Sequence, residues 1–131
     1  MAATLLCVDD HEAELVLRKE VLEGCGYTVL TAADGFAAVE IAEQTPLSLV
    51  VLDYRMDGMD GEAIAKVLKF RRPETPIIML SSYDMPSHVL ELVDASISKG
   101  ESPEVLIKTV SRLLSAGRLS PQQQRAAQAA R

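Results

Sequence analysis

The 131-residue sequence is poor in cysteine, has no long apolar run and carries fewer basic than acidic residues, and each shortage removes a class of function. Of its two cysteines, Cys7 lies inside an apolar run and Cys25 in the turn-like Gly24-Cys25-Gly26. They offer neither a disulfide framework nor a metal cluster, and both read as structural. No run approaches the roughly 18 apolar residues of a membrane-spanning helix. The amino-terminal stretch lacks a basic start and reaches Asp9 almost at once, so the expected location is the cytoplasm and no membrane contact is expected. Thirteen Lys and Arg against 19 Asp and Glu give a net charge of −6, which opposes nonspecific attraction to nucleic acid, so no direct nucleic-acid binding is expected. No Gly-rich loop follows the first apolar run, which excludes a dinucleotide-binding or P-loop protein.

What remains suits one globular domain. Apolar residues make up 48% and charged residues 24%, too apolar for disorder in a chain of 14.2 kDa that can bury a core. Short apolar runs at 4–8, 27–31, 47–52, 76–80 and 95–98 read as strands. Between them apolar residues recur three and four apart, as in Ala13, Leu17 and Val21 or Leu106, Val110 and Leu113, and each set marks a buried helix face. The less regular 85–93 stretch, with Val89, Leu90 and Val93, reads as the fourth of five helices. Asp34 and Asp60 stand where helix caps belong, and Ser102-Pro103-Glu104 opens the last helix. The string is (βα)5, and continuously apolar runs such as Leu49-Val50-Val51-Leu52 imply strands covered on both faces of a parallel sheet. Residues 1–117 carry 10 − 19 = −9 and form the expected domain. Residues 118–131, with three Arg, four Gln, four Ala and no acid, read as a flexible tail or linker.

In such sheets chemistry gathers at the carboxyl ends of the strands. Polar residues there are Asp9 and Asp10 after the first strand, Asp53 at the end of the third, Ser81 and Ser82 after the fourth, and Lys99 after the fifth. Three converging carboxylates repel one another by about 4 kcal/mol per pair at 4 Å and an effective dielectric near 20, so a cation must be present. Mg²⁺ fits, being a hard ion that takes oxygen ligands and joins carboxylates to phosphate, whereas zinc would want a His or Cys cluster. A carboxylate so neutralised can take a phosphoryl group as an acyl phosphate, with Ser81 donating a hydrogen bond and Lys99 a point charge to its oxygens.

Val8-Asp9-Asp10, the segment from Val51 to Gly61 around Asp53, Ile77 to Ser82 and Ser98-Lys99, in this order and each at its strand, resemble the receiver domain of bacterial two-component response regulators. The resemblance covers residues 4–116. It implies a doubly wound, flavodoxin-like fold of strand order 2-1-3-4-5 and phosphorylation of Asp53 by a histidine kinase or phosphotransfer protein. It further implies Mg²⁺ held directly by Asp10, Asp53 and the backbone carbonyl of Arg55, with Asp9 reaching it through water. The expected protein is a switch rather than a turnover enzyme, a monomer or weak dimer with an output partner that the sequence does not name.

Three positions depart from the family pattern. Asp57 stands where a proline usually follows the methionine, which predicts a looser and more acidic loop. Gly100 replaces a proline and predicts a less fixed Lys99. Ser96 replaces the aromatic residue that usually relays activation. This last departure admits a phosphorylation-independent pseudo-receiver as an alternative, and the segment from Lys99 to Pro121 resembles receivers that precede helix-turn-helix output domains, which admits a receiver fragment of a DNA-binding regulator. A phosphatase with an aspartyl nucleophile would want a second Asp two residues after the first, where Arg55 stands. His11 reads as exposed beside the site, bordering metal-bound water at most. Arg55 and Tyr83, bulky neighbours of the acceptor, predict slow self-hydrolysis. Met56, Met59 and Met79 read as packing residues.

Overall fold

The computed structural model describes residues 2–117; the 118–131 tail lies outside the described residues. Five strands alternate with five helices: β1 (Thr4–Val8), α1 (Glu12–Glu23), β2 (Thr28–Ala32), α2 (Gly35–Gln44), β3 (Leu49–Asp53), α3 (Gly61–Arg71), β4 (Ile77–Ser81), α4 (Ser87–Leu90), β5 (Ala95–Ser98) and α5 (Pro103–Gly117). All strands run parallel in the order β2-β1-β3-β4-β5. The expected (βα)5 sheet and its strand order are therefore both found.

Strand alternation splits the core in two. Leu6, Val8, Val50, Leu52, Ile77 and Met79 face Ala38, Ala42, Ile64 and Leu68 of α2 and α3. Leu5, Cys7, Leu49, Val51, Ile78 and Leu80 face Leu15 and Leu22 of α1 and Leu106, Val110 and Leu114 of α5. Both faces of β3 are thus buried, which is why its run is apolar without alternation. Each buried Leu or Ile contributes roughly 1.5–3 kcal/mol relative to exposure. Met56 and Met79 belong to this packing and Met59 borders it. Cys7 is buried and Cys25 exposed, and burial pushes the Cys7 thiol up to about 12, consistent with an inert core residue.

Local signals hold well at the helix starts, where Asp34 accepts the Ala37 N–H at 2.8 Å and Asp60 the Ala63 N–H at 3.0 Å. The strands differ from their apolar runs in one systematic way: β2, β3 and β4 each end one residue later than hydrophobicity predicts. The ladder is made by the backbone, so polar side chains do not end it. Tyr54 N–H still donates to Leu80 at 2.9 Å and Lys99 N–H to Ser81 at 2.9 Å. Asp53 and Ser81 are therefore the last residues of rigid strands.

The fourth helix is a correction. Expected over 85–93, it is a single turn, Ser87–Leu90. Only Val89 of that turn is buried and Leu90 stays 43% exposed, so there is too little apolar burial to sustain further turns. Chain return takes over at once, because Asp94 exchanges bonds with β4, its carboxylate accepting the Ile77 N–H at 2.8 Å and its own N–H donating to Ile77 at 2.9 Å. Among the described residues no helix is long and apolar enough to cross a membrane.

Candidate functional site

The strand order reverses at β1, so the loops after β1 and β3 leave on opposite sides of a crevice at the carboxyl edge. Asp9 and Asp10 stand on one side and Asp53 on the other. The close approach of the next helix shapes this rim. A Cβ on Gly61, at the start of α3, would lie 2.5 Å from the Asp53 carbonyl oxygen and 2.7 Å from Tyr54 Cα, so only glycine lets α3 begin there.

Asp9, Asp10, Asp53 and Lys99 come together as the strand ends predict. Asp53 is 1% exposed. Its Oδ1 lies 3.0 Å from Lys99 Nζ and accepts a long bond from the Arg55 N–H at 3.4 Å. Asp9, fully buried, accepts the His11 N–H at 2.9 Å on Oδ1 and Arg18 at 3.2 Å on Oδ2, with Lys99 Nζ 3.6 Å away. The Asp10 Oδ2 accepts the Asp57 N–H at 3.2 Å. That bond gives the aspartate-for-proline departure a physical meaning, since a proline at 57 would have no N–H to donate.

Two residues of the cluster carry no strand-end signal. Glu14 and Arg18, one turn apart on α1, face the rim: Arg18 reaches Asp9, and Glu14 Oε2 lies 3.1 Å from Lys99 Nζ and 3.6 Å from Arg18. Their spacing of four marks one helix face, but which face meets the rim depends on how α1 packs on the sheet. Beside Gly100, the Lys99 backbone is tied to β4 and its Nζ meets three carboxylates. No peptide bond among the described residues is cis.

Burial disfavours the charge on Asp53 and raises its pKa, with the nearby Asp9 charge adding to the effect and Lys99 opposing it. Burial also disfavours the Asp9 charge, but the His11 N–H and the Lys99 charge win and hold it at about 2. Lys99 is desolvated too, yet its bonds to Asp53 and Glu14 prevail and its pKa is raised. The Asp9 hydrogen bond, then the Asp10 charge, raise that of His11.

Four carboxylates (Asp9, Asp10, Glu14, Asp53) face two fixed cations (Arg18, Lys99), so 4 − 2 leaves two negative charges. Asp53 Oδ2 and Asp10 Oδ1 are shielded from solvent and accept no hydrogen bond. Buried oxygens without partners are costly, and here they belong to an acidic cluster of Asp9, Asp10, His11 and Asp53 whose donor atoms lie within 4.8 Å of one another. The donor set could hold a metal ion, and its net charge and orphaned oxygens fit a divalent one.

Ser81 is at the rim, but its hydroxyl is engaged elsewhere: it donates to the Tyr83 carbonyl at 2.6 Å and accepts the Tyr83 N–H at 3.0 Å. Arg55 lies over two rings, its guanidinium carbon 5.9 Å from the Tyr54 centroid and 5.5 Å from that of Tyr83. Ser96 is exposed on β5, paired with Met79 of β4.

Residues 5–111 match the response regulator receiver domain family. The chain is 38% identical over 84 residues to the alkaline phosphatase synthesis transcriptional regulatory protein PhoP of Bacillus subtilis, covering 64% of this chain and 35% of that one. It spans only 11% to 35% of the length of such curated relatives. Among solved structures, chemotaxis protein CheY4 of Vibrio cholerae superimposes with a TM-score of 0.81 at 29% identity, covering 86% of this chain and 99% of that one. The response regulator TrrA of Thermotoga maritima, in complex with Mg²⁺-BeF, gives a TM-score of 0.78 at 29% identity, with coverage of 86% and 99%. With its five-stranded parallel sheet and an acidic rim at the switch point, the chain belongs to the response regulator receiver domain family of two-component systems.

Proposed function

We propose that residues 1–117 form a phosphoacceptor switch, phosphorylated on Asp53 by a histidine kinase or phosphotransfer protein in the cytoplasm. One observation carries the reading: Asp53 is buried on a rigid strand end with Oδ1 paired to Lys99 and Oδ2 without a partner. One oxygen of the Asp53 carboxylate is the nucleophile, and the other is left to the cation. The nucleophile forms the new P–O bond as the donor's P–N bond breaks, and the donor imidazole leaves with the electron pair. Lys99 neutralises a developing phosphoryl oxygen, and Ser81 contributes a hydrogen bond once its hydroxyl turns away from Tyr83. Mg²⁺, held by Asp10, Asp53 and the Arg55 carbonyl with Asp9 acting through water, supplies charge neutralisation at the phosphoryl group when bound. The Mg²⁺-BeF complex of TrrA supports that choice of ion. The domain is a switch rather than a turnover enzyme, a monomer or weak dimer, and residues 118–131 act as its tail or linker.

Intact-protein mass spectrometry after incubation with acetyl phosphate and Mg²⁺ tests the reading. A phosphoryl adduct is expected on the wild type and on neither Asp53→Asn nor a chelated sample. A folded wild type that takes up no phosphoryl group overturns it. The one-turn α4 and exposed Ser96 favour a second reading, a pseudo-receiver whose partner binding ignores phosphate. A receiver piece of a DNA-binding regulator is supported by the match to part of PhoP.

A further inference from the structure

His11 is a side chain of the rim that phosphoryl transfer leaves without a task. It occupies the N-cap of α1 but makes no capping bond, although Ser, Thr, Asp or Asn is favoured there and Asp34 and Asp60 cap α2 and α3. Its imidazole folds back over the carboxylates instead. Nδ1 lies 3.1 Å from Asp9 Oδ1 and 3.0 Å from Asp10 Oδ1. Asp10 Oδ1 is one of the two orphaned oxygens, so this nitrogen sits beside it without an aligned hydrogen bond; the other, Asp53 Oδ2, belongs to a residue 1% exposed. Ligands at roughly 2.1 Å from an octahedral ion stand about 3.0 Å apart along each edge of the octahedron, the spacing already present between Nδ1 and Asp10 Oδ1, while Asp9 Oδ1 holds the ring in place by a hydrogen bond at 3.1 Å.

We propose that His11 Nδ1 is a direct ligand of the divalent ion held by Asp10 and Asp53, making this a mixed nitrogen and oxygen site that favours a first-row transition ion such as Mn²⁺ over Mg²⁺. The inference rests on the reading of the rim as a cation site and adds a donor to it. Mg²⁺ prefers carboxylates and water and gains little from imidazole, whereas transition ions bind imidazole well. Binding the ion displaces the proton that Nδ1 shares with Asp9 Oδ1 at 3.1 Å into solvent, and the neutral ring keeps its other proton on Nε2 at its exposed edge. Ion availability then decides which metal is present in the cell.

The test uses the full chain freed of metal, titrated with Mg²⁺ and with Mn²⁺ by calorimetry, and pulsed electron paramagnetic resonance of the bound Mn²⁺. The sequence has two histidines, and His88 is engaged with Glu62 at 2.9 Å, so the source of any nitrogen signal is readily assigned. Nitrogen coupling to Mn²⁺ is expected in the wild type and in His88→Ala and is absent from His11→Ala. His11→Ala is expected to weaken Mn²⁺ binding about tenfold, the low end of what supporting groups of metal sites contribute, and Mg²⁺ binding less than about twofold. Mn²⁺ that binds the wild type, is released by Asp10→Asn and shows no nitrogen coupling overturns the role of His11 and leaves the cation site standing. A wild type that binds neither ion, or binds both as well after Asp10→Asn, overturns the cation site and His11's role with it. A wild type without nitrogen coupling decides against the ligand whatever the variants do, and coupling that persists in His11→Ala overturns it as well.

Discussion

Asp9 is the buried charge whose contribution to stability can be worked out most directly. Its carboxylate is fully buried between the His11 N–H at 2.9 Å and the Arg18 guanidinium at 3.2 Å, and its pKa falls from an ordinary 3.8 to about 2. The drop of 3.8 − 2, about 1.8, at roughly 1.4 kcal/mol per pKa unit gives on the order of 2–3 kcal/mol. Water and salt at the open rim reduce this to about 2 kcal/mol. The group is a carboxylate with a depressed folded pKa. Its contribution is therefore complete above the unfolded value near 4 and is lost as pH falls through that value towards about 2. Asp9→Asn should therefore cost about 2 kcal/mol at pH 7, and the difference from wild type should shrink steadily below about pH 4. Urea unfolding of both proteins in the presence of chelator, at a series of pH values down to the acid limit of folding, measures the difference directly. Equal stability at pH 7, or a deficit that persists undiminished in acid, would refute the assignment of that energy to the Asp9 charge.

Three further outcomes are expected. Mg²⁺ at one hundred times its dissociation constant should raise the unfolding free energy by about 2.7 kcal/mol, and the same ion should do nothing for Asp10→Asn; a urea midpoint that ignores Mg²⁺ in the wild type would contradict this. Arg55→Ala and Tyr83→Ala each remove one side of the Arg55–Tyr83 stack and should shorten the phosphoryl lifetime by about two- to fivefold, the equivalent of a cation–π contact, as followed by decay of the mass-spectrometric adduct. An unchanged lifetime in both would dismiss the idea that this stack shields the acyl phosphate from water. Gly61→Ala pushes a methyl group against the Asp53 carbonyl and the Tyr54 backbone and should destabilise the fold by about 1–3 kcal/mol, seen as a lowered urea midpoint; full stability would mean that α3 shifts at no cost.

Much of this was legible in the chain because burial writes a local pattern. Leu49 to Leu52 read as a strand covered on both sides, and β3 is buried throughout. Asp34 and Asp60 read as caps, and both accept the N–H three residues on. Asp9, Asp10, Asp53 and Lys99 are legible as polar residues at the ends of apolar runs, because a parallel sheet brings its carboxyl ends to one edge. The 85–93 segment failed for the same reason that the others succeeded. Its apolar residues suggest a helix, but Met85, Leu92 and Val93 pack only partly buried at the edge of the core, Val89 alone is buried in the turn, and one turn forms.

The sequence by itself therefore determined the element string, the parallel sheet and the identity of the strand-end carboxylates, since all of these follow from short-range periodicity and chain direction. Only the tertiary structure decided which face of α1 meets the rim, and with it that Glu14 and Arg18 join the site. It also decided that Lys99 reaches Asp53 and Glu14, and that Asp53 Oδ2 and Asp10 Oδ1 accept no hydrogen bond. Those outcomes rest on contacts between residues far apart in the chain, such as Lys99 with Glu14 across 85 positions. Charges meet across such a distance only after the sheet has fixed where each helix lies, because Coulomb energy depends on separation in space and leaves no periodic trace in the chain.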